Sequence, residues 1–224
     1  MHCCDVSDSE AWKALREALQ SRWPRLDLLV NNAGVLAAGL LGSLSETDLR
    51  RVVDVNLLGT IWGCRAMLPW LKSSTASPGG ALRRGIINVA SIIASLSPPG
   101  FAAYNASKAG VVALSETLRG ELRLHGLNVT VVLPGVVPTP LFGRAKYAEQ
   151  RYATLVNRYA AESRLTPEEV VETALAAHRR GKLYAVAGRR ARWFWRCKQF
   201  FPSRTIDALA HRTVRELEAT PCST

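Results

Sequence analysis

The 224-residue sequence lacks any run of about 18 apolar residues, the length a helix needs to cross a bilayer. Its best stretch, from Val52 to Cys64, is broken by Asp54 and Asn56. The opening Met-His-Cys-Cys-Asp-Val-Ser-Asp has neither the basic start nor the apolar core of a secretory signal. The five cysteines (Cys3, Cys4, Cys64, Cys197, Cys222) form no C-x-x-C pair and are odd in number. They read as reduced thiols of a cytoplasmic protein, not as a disulfide scaffold. His2, His125, His178 and His211 show no ligand spacing, so no metal site is expected. No internal repeat is visible.

What is present suits one α/β domain. Apolar content of 48% and charged content of 21% are ordinary for a globular chain. The net charge of +11 is placed unevenly, because from Arg179 onward there are eleven Lys/Arg against three Asp/Glu. The rest is close to neutral. The basicity therefore belongs to a tail, and no nucleic-acid partner is expected.

Strand and helix signals alternate, which predicts a parallel sheet with helices on both faces. Asp8–Gln20 reads as a helix, and Leu26–Val30 as a short buried strand ending in Asn31-Asn-Ala-Gly34. Ser45-Glu-Thr-Asp48 resembles a capping box opening a long helix to about Leu71. Ser73–Gly80 is a small-residue loop, Gly85–Ala90 a strand and Ser97-Pro-Pro-Gly100 a turn. A helix follows from about Ala102 to His125, with Leu114, Leu118 and Leu122 on its buried face and Gly126 as its stop. Asn128–Leu133 is a strand, then a mobile-looking stretch runs to about Arg164. Thr166-Pro-Glu-Glu169 starts a further helix, and Lys182–Ala187 is a last strand.

Tyr104 and Lys108 lie four apart on a predicted helix, so they point the same way. Ser91 ends the apolar run thirteen positions upstream. A phenol beside an ammonium is a candidate proton donor, its pKa expected below the ordinary value of about 10. In an open parallel sheet, Asn31–Gly34, Ser91 and Pro134–Gly135 should meet beyond the carboxyl ends of the strands.

Five elements in order resemble the short-chain dehydrogenase/reductase family. They are Asn31-Asn-Ala-Gly34, Asn56 in Asp-Val-Asn-Leu-Leu-Gly, Ser91 in Asn-Val-Ala-Ser, Tyr104-x-x-x-Lys108, and Pro134-Gly-x-x-x-Thr139. The resemblance implies a Rossmann-like doubly wound parallel sheet and NAD or NADP as cofactor. It implies Tyr104 as general acid or base, Ser91 as the group polarising the substrate oxygen, Lys108 as holder of the nicotinamide ribose, and Asn56 as anchor of a relay water. Asp5, Asn32, Ala33, Gly34, Pro134, Gly135, Val137 and Thr139 would line the cofactor, with Tyr104 and Lys108 touching it too. A homodimer or homotetramer is implied by the resemblance alone.

The family's first two strands and its glycine-rich phosphate turn have no counterpart, since no G-x-x-x-G-x-G occurs. Leu26–Val30 is then expected to be an exposed apolar edge, and the isolated chain to be unstable or weak in cofactor affinity. Either the sequence is short of the full enzyme, or the chain is a non-catalytic relative that pairs with a partner through its long helices. The retained catalytic residues argue for the first. The expected organisation is a partial catalytic domain over 1–188 and a basic, aromatic extension over 189–224.

The leading function is an NAD(P)-dependent oxidoreductase interconverting a secondary alcohol and a ketone. Leu141, Phe142, Tyr147, Tyr152 and Tyr159 lie in a lid-like stretch between Pro138 and Arg164, and favour an apolar or lipid-like substrate. The alternative is a non-catalytic binding protein on the same scaffold. Residues 189–201 mix five cations with five aromatics. They read as a packed helix, or as a peripheral contact with a membrane surface.

Overall fold

The computed structural model describes residues 2–74 and 83–220. Most of the expected loop Ser73–Gly80, and Cys222, lie outside the described residues. The four described cysteines are free thiols.

The first helix, α1 (Ser9–Gln20), starts where Asp8 caps the Glu10 amide. It leads to β1 (Leu28–Asn31), and a two-residue strand β2 (Ala37–Ala38) follows. The long helix expected from Ser45 is present but interrupted. It comprises α2 (Glu46–Val53), a wide π turn over Asp54–Leu58, and α3 (Gly59–Ser73). Ser45 accepts from the Asp48 amide at 3.1 Å, but its hydroxyl also donates to the Asp48 carboxylate at 2.7 Å. Aspartate is a carbon shorter than the glutamate of a full capping box, and it meets the hydroxyl.

Next come β3 (Gly85–Val89), the short α4 (Ile93–Leu96), and α5 (Ala102–Glu121). A 3-10 turn over Arg123–His125 then closes on Gly126 at φ +63°. Beyond it run β4 (Asn128–Pro134), α6 (Pro140–Gly143), β5 (Lys146–Tyr147) and α7 (Gln150–Glu162). The stretch read as mobile is therefore largely built, because its apolar residues have a core to pack on. A full capping box at Thr166 and Glu169 opens α8 (Pro167–Arg179), and β6 (Tyr184–Ala187) follows. The tail forms α9 (Arg189–Phe200) and α10 (Pro202–Glu218).

The main sheet has the order β1-β3-β4-β6, parallel throughout. Its side chains alternate between two cores. Leu29, Ile86 and Val129 face Trp12, Met67, Trp70, Leu71, Leu118 and Leu122 from α1, α3 and the end of α5. Ile87 and Val132 face Ala174 and Ala177 of α8. This is the doubly wound arrangement expected. Strand β1 is an edge, and Val30 is half exposed there.

The pairing of β3 with β4 depends on Gly85, whose φ is +152° and whose Cβ position lies 1.8 Å from the Asn128 carbonyl oxygen. Gly85→Ala should lower the free energy of unfolding by about 3 kcal/mol or more in a urea titration. Gly42→Ala, where a Cβ meets nothing within 4 Å, should change it by less than about 0.5 kcal/mol.

Candidate active site

The register of the parallel strands sets the site. Asn31 pairs with Asn88, Val89 with Val132, and Pro134 with Ala187. Every connection leaving these strands therefore exits at one edge of the sheet.

From β1 the chain enters Asn32-Ala33-Gly34, with Asn32 and Ala33 exposed. A side chain at Gly34 would sit 3.3 Å from Asn56 Oδ1 and 3.5 Å from Lys108 Nζ. Asn56 is fully buried in the π turn. Its Oδ1 accepts from the Val35 amide at 2.8 Å, while Nδ2 donates to the Val35 carbonyl at 3.0 Å and to Ser107 Oγ at 3.1 Å. The amide thus spends most of its capacity fixing the turn after Gly34, and only the second lone pair of Oδ1 is left for a water.

Strand β3 supplies two groups. The Val89 carbonyl accepts from Lys108 Nζ at 2.8 Å. Ser91 follows Ala90, and the chain there is tied to β4 by Ala90 N–H to Val132 O at 2.8 Å and Ile92 N–H to Pro134 O at 2.9 Å. Tyr104 and Lys108 lie one turn apart near the start of α5, both buried, with Nζ 6.0 Å from the phenol ring centre. The Ser91 side chain lies near enough to the phenol to lower its pKa. Gly34, Asn56, Ser91, Tyr104 and Lys108 are thereby gathered in one place, from positions far apart in sequence.

The remaining expected residues are spread along the same edge or away from it. The Gly135 amide donates to Ala187 O at 3.0 Å, and Gly135, Val137 and Thr139 are half buried. Thr139 takes the N-cap position of α6, but its hydroxyl makes no cap bond. Asp5 is exposed, and its carboxylate is held below the usual range by the Ser7 hydroxyl at 2.7 Å and amide at 2.9 Å. Residues 2–5 pair with no strand among the described residues.

The electrostatic expectation for Tyr104 is corrected. Burial pushes the phenol up to about 12, and the nearby Ser91 hydroxyl offsets this only in part. Burial also pulls Lys108 down to about 8 from an ordinary 10.5. Low dielectric penalises both charged forms, so proximity alone does not make a tyrosinate. No carboxylate pairs with Lys108 among the described residues.

Tyr104 also joins an apolar cluster with Leu36, Phe101, Tyr152, Leu155 and Val156, against which Leu141, Phe142, Tyr147 and Tyr159 pack. Tyr152 is core, not lid surface. It is 1% exposed, and its ring lies under Gly100, where φ is +85° and a Cβ would come within 2.4 Å of it. The Tyr147 hydroxyl donates to Phe142 O at 3.0 Å. Tyr159 donates to Glu216 of α10, which also pairs with Arg158 at 2.6 Å and Arg212 at 2.7 Å. The C-terminal helix thus clasps α7.

Several contributors were not anticipated from sequence. Ser107 links Asn56 to the Tyr104 carbonyl, to which it donates at 2.8 Å. Beneath the site, Asn31 Nδ2 donates to Asn88 Oδ1 at 2.8 Å, and Asn88 Nδ2 donates to Ser115 Oγ at 2.9 Å. The available signal was Asn88 itself, an amide inside an apolar strand that needed a buried partner.

An open parallel sheet with serine, tyrosine, lysine and asparagine gathered beyond its carboxyl edge defines a Rossmann-like α/β protein. The short chain dehydrogenase family model matches residues 1–150. The chain belongs to that family. It is 32% identical to the 3-oxoacyl-(acyl-carrier-protein) reductase FabG of Thermotoga maritima, over 76% of this chain and 66% of that protein. Among solved structures it resembles a short chain dehydrogenase/reductase from Burkholderia phymatum in complex with NAD (TM-score 0.78, 27% identity, covering 90% of this chain and 75% of that one). It also resembles a short chain dehydrogenase from Burkholderia cenocepacia in complex with NADP (TM-score 0.74, 26% identity, covering 92% and 76%). The chain spans less than two thirds of the length of the curated relatives it matches.

Lys108 carries a pH signature. Below about 8 both folded and unfolded states hold the proton, and the cost of burying the ammonium is fully present. Above that, the folded state sheds its proton first, so wild-type stability should rise relative to Lys108→Met between about pH 8 and 10, by at most about 3 kcal/mol. Chemical denaturation of both proteins across this range reads it, and a constant difference would show an ordinary lysine.

Proposed function

We propose that this chain carries the nicotinamide side of an oxidoreductase site that interconverts a secondary alcohol and a ketone with NAD or NADP. The observation that carries it is the convergence of Ser91, Tyr104 and Lys108 beside the open backbone at Gly34. In reduction, Tyr104 gives its phenolic proton to the carbonyl oxygen, and in oxidation it takes that proton back. A phenol that stays protonated to about 12 is ready to act as the acid. Ser91, beside the phenol, donates its one hydroxyl proton to the same substrate oxygen.

The residues present fit the nicotinamide half of the cofactor. The Gly34 backbone is bare, with Asn32 and Ala33 exposed beside it. The Lys108 ammonium uses one donor on Val89 O, which leaves the others for ribose hydroxyls. Pro134, Gly135, Val137 and Thr139 flank the same edge, and Asp5 belongs to the adenine side of this reading. When bound, nicotinamide supplies or accepts the hydride. Asn56 contributes by holding Val35 and hence Gly34, with its remaining lone pair for a relay water. The glycine-rich pyrophosphate turn is not among these 224 residues.

The apolar cluster around Tyr104 favours an apolar or lipid-like substrate, in keeping with the acyl substrate named for the Thermotoga relative. A homodimer or homotetramer and a cytoplasmic location complete the reading. The second reading is a non-catalytic binding protein on the same scaffold, and a turnover assay beside a fluorescence titration with NADH and NADPH separates the two.

Tyr104→Phe removes the proton and little volume. It should lower kcat for ketone reduction by at least about a hundredfold while leaving nucleotide affinity within about twofold. Turnover equal to wild type would remove Tyr104 from the mechanism. Saturating nucleotide binding with no turnover on any apolar ketone or 3-oxoacyl thioester would favour the binding protein.

A further inference from the structure

The tail divides its aromatics between two faces. Phe194 and Trp195 turn inward with Ile92, Leu96, Ala191 and Leu209, and Trp195 meets Tyr184 with ring centres 5.3 Å apart and planes tilted by 48°. Outward, Arg189, Trp193, Arg196 and Phe200 recur at intervals of four, three and four, the spacing of one helical face. All four are exposed, Trp193 at 61% and Phe200 at 76%, and Phe201 follows at 58% on the turn into α10. Residues 189–204 hold six Lys/Arg and no Asp/Glu. None of those six forms an ion pair among the described residues.

We propose that this face, with the Phe200–Phe201 turn, docks the chain on an anionic lipid bilayer. Exposed rings of this size are costly in water and suit the boundary between headgroups and acyl chains. The cations beside them match a negative surface, each worth about 1 kcal/mol there. A second copy of the chain is a poor occupant, because a two-fold contact would set one set of six cations against another. The twelve-residue helix is too short to cross a bilayer, and no described helix is long and apolar enough to do so. It lies on the surface. The proposal does not depend on the catalytic reading, and its test needs neither cofactor nor substrate.

The test is flotation of this chain with phosphatidylcholine vesicles, with and without phosphatidylserine. Binding should require phosphatidylserine, weaken with added salt, and shift tryptophan emission to the blue by an amount that Trp193→Phe removes. Trp193→Ser/Phe200→Ser/Phe201→Ser keeps the net charge and should bind at least about tenfold more weakly. Arg189→Gln/Arg192→Gln/Arg196→Gln should bind about a hundredfold more weakly. Circular dichroism checks that both variants fold. No vesicle binding by wild type, or equal binding by the folded aromatic variant, would overturn the proposal. So would self-association that the aromatic variant abolishes, or an oligonucleotide bound more tightly than the vesicles through the same residues.

Discussion

The site is organised around one costly group, an ammonium taken out of water with a single backbone carbonyl to receive it. Lys108 is 4% exposed and donates to Val89 O at 2.8 Å. A buried charge without a counterion is normally selected against unless it does something. Its neighbours are arranged to tolerate it. Val89 ends β3, so its carbonyl is free to turn toward α5. Gly34 leaves room 3.5 Å from Nζ that any other side chain would fill. Asn56 binds both backbone groups of Val35, which keeps that glycine in place. Removing any of these would leave the ammonium either crowded or unsupported.

Helix α5 shows how one stripe serves chemistry at one end and stability at the other. Its buried residues are Tyr104, Asn105, Ser107, Lys108, Val111, Ser115 and Leu118. The polar ones concentrate in the first two turns, at the carboxyl edge of the sheet, where the strands end and backbone carbonyls become available. Further along, the same stripe meets the middle of the strands, whose backbone groups are used by the ladder, and it turns apolar. Ser115 is the exception, and it is matched by Asn88 at 2.9 Å.

This explains which features could be read from sequence. Apolar patterns bounded by glycine or proline located β3, β4 and α5, and the cap, proline and acids at Thr166–Glu169 located the start of α8. The convergence of Asn31–Gly34, Ser91 and Tyr104 was legible because a parallel sheet sends all its carboxyl ends to one edge. Burial was not legible. Nothing in Tyr104-x-x-x-Lys108 says that both side chains lose their water, and that loss reverses the expected shift of the phenol. Tyr152 was misplaced, and the inward face of Trp195 was not legible, for a related reason. An aromatic in a polar stretch has no visible face until its partners, Gly100 and Tyr184, are in position.

The two faces of the tail follow from how few acids it contains. From Arg179 onward there are only three, Asp207, Glu216 and Glu218. Glu216 alone takes Arg158, Arg212 and the Tyr159 hydroxyl, and so pulls α10 onto α7 beside the apolar cluster that holds Tyr104. This carboxylate accepts three donors, and its pKa is lowered by Tyr159 and the two arginines against the opposing effect of burial. Asp207 and Glu218 pair with none of the cations of α9 among the described residues. Those cations must face solvent or a negative partner, and the aromatics interleaved with them on that stripe are carried outward too. The inward fold of α10 and the outward basic face of α9 thus have a common cause.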